Sequence, residues 1–253
     1  MNGFEKHGID HLSPSSINMY AECQGAWAAR YIFNHKFSFG VAAQIGVLTE
    51  QVVQDVLLGA DFAAALEAAK KEFRKKNALN TSEKDIKRIN DIEAMAHLAL
   101  EELKQYGEPE FIHGLNGVQQ QKIEIMCNGG DWSIPVIGFT DFAYPKHGII
   151  FDLKTTLRIP SVMSMAHRRQ AAIYRAAKGN MGVKFLYCSP KKCSILEDEN
   201  FDEALASFKA IAKRLEAFLR AHDKEQIKEI AHVSDSSFYW NGSEKIRKEL
   251  YSV

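Results

Sequence analysis

The sequence predicts an α+β or α/β protein, with a β-sheet core behind a mainly helical N-terminal section. Two observations carry this. From Ser13 to about Tyr106, apolar side chains recur at three- and four-residue spacing between helix caps. From Val118 the pattern changes to short alternating or apolar runs divided by turn signals, with helical stretches interleaved from Ser161.

Each element follows from local signals. In Leu12-Ser13-Pro14-Ser15-Ser16, Ser13 can cap a helix and Pro14 suits its first position. Ile17, Tyr20, Gln24, Trp27 and Tyr31 then keep helical spacing. A second helix runs from about Ala42 to Leu58, with Ile45, Leu48, Val52 and Val56 on its apolar side. Gly59-Ala60-Asp61 ends it and caps Phe62 to Lys76, which closes on Lys70, Lys71, Arg74, Lys75 and Lys76, a run read as a solvated face. Asn80-Thr81-Ser82-Glu83 opens a helix that lasts to about Tyr106, where Gly107-Glu108-Pro109 stops it. Val118 to Met126 alternates as a strand, and Asn128-Gly129-Gly130-Asp131 signals a hairpin turn. Trp132 to Phe142 returns as one strand or a bent pair. Pro145-Lys146-His147-Gly148 turns the chain into a short strand, Ile149 to Lys154. Ser161 to Lys178 is helical, Val183 to Cys188 is a strand, and Phe201, Leu205, Phe208, Ile211, Leu215, Phe218 and Leu219 form a helical stripe. The tail from about His232 reads as irregular, with Phe238-Tyr239-Trp240 better suited to packing than to stacking bases. No Pro/Gly/Ser linker divides the chain. It therefore reads as one domain over residues 1–253: a mainly helical section over residues 1–110, a sheet core over residues 111–200, and a C-terminal helix and tail over residues 201–253.

Composition narrows the function classes. At 253 residues, 46% apolar and 25% charged, the chain has the profile of a soluble globular protein. No run of 18 apolar residues exists, so no membrane span is expected, and the polar start Met1-Asn2-Gly3-Phe4-Glu5-Lys6-His7 does not read as a signal peptide. A cytoplasmic protein is expected. With 32 basic and 32 acidic residues, any nucleic-acid contact must come from a local basic patch. Cys23, Cys127, Cys188 and Cys193 contain no Cys-x-x-Cys pair; free thiols and no zinc ribbon are expected in a cytosol.

The chemistry concentrates in two segments, Gly138-Phe139-Thr140-Asp141 and Phe151-Asp152-Leu153-Lys154. Asp152 and Lys154 are two apart, so a strand projects both from one face. Asp141 can meet Asp152 across the ladder. Two carboxylates so close repel each other unless a cation lies between them, and oxygen ligands of this kind suit Mg2+ or Mn2+. A neighbouring lysine can hold an attacking water, which makes the set an apparatus for phosphodiester hydrolysis. On the following helix His167, Gln170 and Tyr174 share one face that can point into a cleft.

Taken in order, Leu12-Ser13-Pro14-Ser15-Ser16 with Tyr20, Cys23 and Tyr31, then Asp141, Asp152-Leu153-Lys154 and Gln170-x-x-x-Tyr174, the chain resembles the RecB-type exonuclease branch of the PD-(D/E)XK nuclease superfamily, in particular stand-alone phage and bacterial nucleases. The resemblance implies a restriction-endonuclease-like core, a mixed central sheet flanked by helices. It implies that Asp141, Asp152 and the Leu153 carbonyl ligate Mg2+ or Mn2+, that Lys154 orients the water, and that Gln170 and Tyr174 shape the site and touch the DNA backbone. The branch usually carries a metal-facing His in a Gly-x-x-x-His pattern; counted from Gly46, the matching residue here is Glu50, with Gln44 as a weaker candidate. Some relatives hold a four-iron cluster on one early and three late cysteines. Cys23 matches the early one, but with Cys188 and Cys193 the late set is one short, which argues against a cluster. Arg158, His167, Arg168, Arg169, Lys191 and Lys192 flank the cleft as candidate DNA contacts. The activity implied is a metal-dependent DNA exonuclease in recombination, repair or phage DNA processing. The alternatives are a catalytically silent DNA-binding scaffold of the same fold and a structure-selective endonuclease. DNA, a recombination or single-strand-annealing protein, and further copies of the chain are the partners this implies.

Overall fold

The computed structural model describes residues 2–38, 40–110, 121–125, 133–179 and 181–252. Helices begin where caps stand. Asn2 closes a capping box on the short α1 (Gly3–Lys6), and Ser13 does so on α2 (Pro14–Glu22), with Pro14 at the first position. The apolar spacing up to Tyr31 reads as one helix, but the backbone turns extended at Cys23 (φ −149°, ψ 95°) and restarts as α3 (Gln24–Tyr31). The cause is a distant partner. The Gly25 N–H donates to the His232 carbonyl at 2.9 Å, and a Cβ at Gly25 would lie 2.6 Å from Val233 Cγ2. Docking of the C-terminal tail thus occupies the break.

α4 (Val41–Leu57) follows, then α5 (Phe62–Lys76), which Asp61 caps through the Ala64 amide. The stretch from Ser82 to Tyr106 is two helices, α6 (Glu83–Lys87) and α7 (Ile89–Leu103), ended by a 3-10 turn at Lys104–Tyr106. β1 (Gln121–Ile125) pairs antiparallel with β2 (Val136–Thr140); the Asn128–Asp131 turn signal and Cys127 lie outside the described residues. The expected bent pair is β2 and β3 (Phe142–Tyr144), with Asp141 at the break. β4 (Ile149–Thr155) pairs antiparallel with β3, and α8 (Met165–Lys178) carries the chain over to β5 (Gly182–Cys188), which runs parallel to β4. The mixed four-stranded sheet has the order β3-β4-β5-β6.

The structure adds one strand and corrects two expectations. β6 (Cys193–Glu197), for which the sequence carries no clear signal, closes an antiparallel hairpin on β5. Its register sets Cys188 opposite Cys193, with Cα atoms 4.2 Å apart, and the two sulfurs are bonded rather than free. The tail is irregular only in part: after α9 (Phe201–Ala221) and α10 (Lys224–Ile230), the chain from His232 carries a 3-10 turn at Phe238–Trp240 and ends in a helix, α11 (Glu244–Tyr251). No helix among the described residues is long and apolar enough to cross a membrane.

The alternation of the strands feeds two cores. Ile150, Val183, Phe185 and Tyr187 pack with side chains of α2, α3, α8 and α9. Phe151, Leu153 and Leu186 pack on the other face with α4, α5 and α7. Trp240 belongs to the first core: it is 2% exposed and stacks on Phe37 at 5.5 Å between ring centroids. Trp240→Ala is expected to lower the unfolding free energy by about 3–5 kcal/mol, the usual cost of emptying so large a buried site. Urea denaturation checks this, and a loss under about 1 kcal/mol would mean that the tail does not help to hold the core.

Candidate active site

The pleat of β4 places the chemistry. Asp152 and Lys154 share parity with Ile150, so they stand on the face that packs against α8. Phe142 pairs with Phe151, which brings Asp141, the residue just before, beside Asp152. A direct bond fixes it there: the Leu153 N–H donates to Asp141 Oδ2 at 2.8 Å. Both aspartates are buried, Asp141 at 6% and Asp152 at 1% exposure.

Each oxygen of Asp152 meets a partner. Lys154 Nζ forms an ion pair with Oδ1, and Gln170 Nε2 donates to Oδ2 at 2.7 Å. Lys154 Nζ also lies 5.3 Å from the centre of the Phe185 ring. Burial raises the Asp152 carboxyl above the ordinary carboxylate range, with Lys154 pulling the other way. Asp141 is raised well above that range, first by burial, then by the charges of Glu50 and Asp152. Burial alone would lower the Lys154 ammonium, but Asp152, Asp141 and Glu50 outweigh it and the group stays a firm cation. Three carboxyl groups and one lysine therefore act on one another.

α8 supplies the next layer. Gln170 Nε2 also donates to the Tyr174 hydroxyl at 2.8 Å, and that hydroxyl donates to the Phe139 carbonyl at 2.5 Å. Burial and the two aspartates push the Tyr174 phenol far up, so it stays a donor. The chain Asp152–Gln170–Tyr174–Phe139 joins β4, α8 and β2. Gln170→Ala strips Asp152 Oδ2 of its donor and unlinks Tyr174. On the metal-dependent nuclease activity that the sequence resemblance implies, this variant is expected to lose cleavage ten- to hundredfold, on the order seen when outer partners of metal ligands are removed. Rates measured over a Mg2+ titration check it; an unchanged Mg2+ midpoint with full rate would count against a supporting role for Gln170. His167, one turn before Gln170, stacks on Phe185 at 5.2 Å and shares a 2.5 Å hydrogen bond with the Tyr187 hydroxyl. Burial, then Lys154, bring its pKa down to about 4, so it is neutral near pH 7.

α4 brings Glu50. A Cβ at Gly46 would sit 3.0 Å from Thr155 Oγ1, so this residue lets the helix lie close to the end of β4. One turn later, Glu50 acts on Asp141 and Lys154, and the buried Gln54 donates to its Oε1 at 2.9 Å. The Gln44 Oε1 accepts from Asn77 at the end of α5, at 2.7 Å. Among the described residues no three of His, Cys, Asp and Glu form a ready metal-binding group.

The candidate DNA contacts divide. Arg158 is exposed on the loop after β4, and Lys191 and Lys192 are exposed in the β5–β6 turn. Arg168 is engaged within the protein by Asp198 (2.9 Å) and by Glu203 and Asn200. Arg169 donates to Asn18 Oδ1 at 2.8 Å and to Ser207 Oγ at 3.2 Å, tying α8 to α2 and α9. Arg168 and Arg169 thus lock α8 to its neighbours, a role that the spacing of charges along a helix does not reveal. Cys23 is fully buried in the core around Trp27, whereas Cys188 and Cys193 are spent on each other.

A mixed sheet that presents an aspartate pair and a lysine beside a helix-borne glutamate has the build of a nuclease. The family model of the PD-(D/E)XK nuclease superfamily matches residues 11–241, and the chain belongs to that superfamily. Among solved structures, the chain is similar to that described as "Crystal structure of SSO0001", at 16% identity and a TM-score of 0.36, over 68% of this chain and 74% of that one. No curated protein matches.

Proposed function

We propose that the chain is a Mg2+-dependent deoxyribonuclease that degrades DNA as an exonuclease, in recombination, repair or phage DNA processing. The observation that carries the reading is the mutual burial of Asp141 and Asp152 within reach of Glu50 and Lys154. Such a cluster is costly without a cation, because burial and like charge both disfavour the ionised carboxyls. The donor set suits Mg2+ or Mn2+, since Mg2+ is commonly held by one or two carboxylates and completed by water and substrate oxygens. Asp141, Asp152, Glu50 and the Leu153 carbonyl would hold the ion, although as they stand the three carboxylates do not form a ready metal-binding group. When bound, it would polarise the phosphodiester and ease ionisation of water.

The side chains supply the rest. Lys154 places a fixed positive charge at the carboxylate pair, where it can orient the nucleophilic water and offset the charge that grows on phosphate oxygens. Gln170 holds Asp152 in one orientation, and Tyr174 holds Gln170. Arg158, Lys191 and Lys192 would take the DNA backbone. The test is digestion of end-labelled single- and double-stranded DNA with Mg2+, compared with closed circular DNA. Loss of labelled ends with circles left intact is the expected result. Nicking of circles would replace the exonuclease reading by an endonuclease, and no cleavage of any substrate would favour a DNA-binding scaffold.

A further inference from the structure

We infer that the Phe185 ring, clasped by His167 and Tyr187, is the seat that positions the Lys154 ammonium, and that these three are positioning residues of the site. The role rests on the nuclease reading and adds residues beyond its carboxylates and lysine. β5 runs parallel to β4 and sets Phe185 opposite Asp152 and Tyr187 opposite Lys154. Phe185 and Tyr187, 0% and 2% exposed, stand in the core on the α8 side, the face that Asp152 and Lys154 also use.

From its place opposite Tyr187, Lys154 reaches back along the ladder. Its Nζ lies over the Phe185 ring, 5.3 Å from the centroid, while it keeps its ion pair with Asp152 Oδ1. His167 stacks on the same ring, at 5.2 Å and 23° between planes. His167 Nδ1 shares a 2.5 Å hydrogen bond with the Tyr187 hydroxyl, and the Tyr187 ring lies 5.6 Å from that of His167 and 6.2 Å from that of Phe185. The three rings close a triangle, tied from α8 to β5 by one hydrogen bond. Burial lowers the imidazole and raises the phenol, so both are neutral near pH 7 and the clasp sets no charge against the ammonium.

A lysine needs such a seat. Its flexible four-carbon stem loses more rotamer freedom on being fixed than most side chains do. Asp152 alone is a shared hold: its other oxygen accepts from Gln170, and the carboxylate is a proposed ligand of the cation. The ring face attracts an ammonium through its quadrupole and draws nothing from the carboxylates. Held by both, the ammonium keeps its place beside the aspartate pair, where the proposed hydrolysis uses it.

Singly, doubly and triply fluorinated phenylalanines in place of Phe185 test this, since fluorine drains the ring face and nearly keeps its shape. With linear DNA and Mg2+, kcat is expected to fall stepwise along the series, by about 2- to 30-fold in all, with KM little changed. In the Lys154→Met background the series is expected to be flat. A second readout needs no cleavage. In EDTA, with carbon-13-labelled lysine, the Lys154 ε-methylene is expected to resonate upfield in the ring current of Phe185, a signal identified by its absence from Lys154→Met. Tyr187→Phe and His167→Gln, which open the clasp, are expected to move that signal towards the ordinary lysine position. If His167→Gln fails to melt cooperatively, Tyr187→Phe decides alone. An unshifted wild-type signal overturns the seat, and a shift that the variants leave in place overturns the clasp. A cleavage rate indifferent to fluorine overturns the positioning role. A protein that shows the shift and its loss but cleaves no DNA keeps the seat and sinks only the nuclease reading.

Discussion

Lys154→Met is expected to lower Mg2+-dependent DNA cleavage by roughly 10^2- to 10^4-fold, the range for losing a group that moves a proton or meets developing charge. Methionine keeps the length of the stem and removes only the ammonium. In the wild type that ammonium forms the ion pair with Asp152 Oδ1 and feels Asp141 and Glu50 as well. Without it Asp152 stays 1% exposed, with Gln170 as its remaining side-chain donor. Removing one partner of a buried pair costs about 3–5 kcal/mol, and because Lys154 is itself 27% exposed the low end of that range applies. The cost has a pH signature. Asp152 is already raised by burial, and the lysine is the influence that holds it down. In the variant the folded-state carboxyl titrates higher still. A raised acid costs nothing while protonated in both states, so the penalty is absent at low pH. It grows as pH rises from the unfolded carboxyl range towards the folded one. Melting at pH 4 and pH 8 should show a larger deficit at pH 8, and full cleavage by the variant would remove Lys154 from the chemistry.

That pairing was legible in the sequence because it depends on period two alone. Asp152 and Lys154 must share a face if β4 is a strand, and Asp141 must come beside them if the preceding strand turns tightly. The Gln170–Tyr174 spacing on α8 was legible for the same kind of reason, a four-residue helical step. Glu50 could be nominated from its distance to Gly46, but the approach of α4 to Thr155 at Gly46 is a contact 109 positions away in the chain. Non-local causes hid the rest. The break at Cys23 exists because the tail at His232 and Val233 occupies it, and apolar spacing carries no trace of that. β6 is an edge strand, Cys-Ser-Ile-Leu-Glu, half-buried up to its exposed glutamate, with neither clean alternation nor an apolar run, so its register and the Cys188–Cys193 bond were invisible together. Arg168 and Arg169 look like free cations until Asp198, Glu203, Asn18 and Ser207 fold against them.

Asp141→Asn should separate stability from activity. The substitution keeps an oxygen that can accept the Leu153 N–H and deletes the charge that burial, Glu50 and Asp152 all oppose. Because the folded-state carboxyl is raised, the native protein binds its proton more tightly than the unfolded chain does. Stability from this group is therefore full below the unfolded carboxyl pKa and falls as pH climbs to the folded value. Above that, the metal-free wild type carries the whole cost of an ionised, crowded Asp141. The variant carries none of it, and in EDTA at about pH 7.5 it should melt higher by several degrees, with a flatter dependence of melting temperature on pH. Mg2+ should reverse the order. An ion that binds only the folded state adds about 2.7 kcal/mol at a hundred times its Kd, and in a protein of this size each kcal/mol is worth about 2–4 °C. The wild type should therefore gain several degrees with Mg2+, while the variant gains little and cleaves at least about 100-fold more slowly, on the order of losing a preorganised charge at a reacting centre. Differential scanning fluorimetry with EDTA and with Mg2+, beside the cleavage assay, reads all of this. A variant that melts below the wild type in EDTA would mean that the carboxylate at Asp141 serves the fold. A variant that still gains stability from Mg2+ as the wild type does would move the ion away from Asp141.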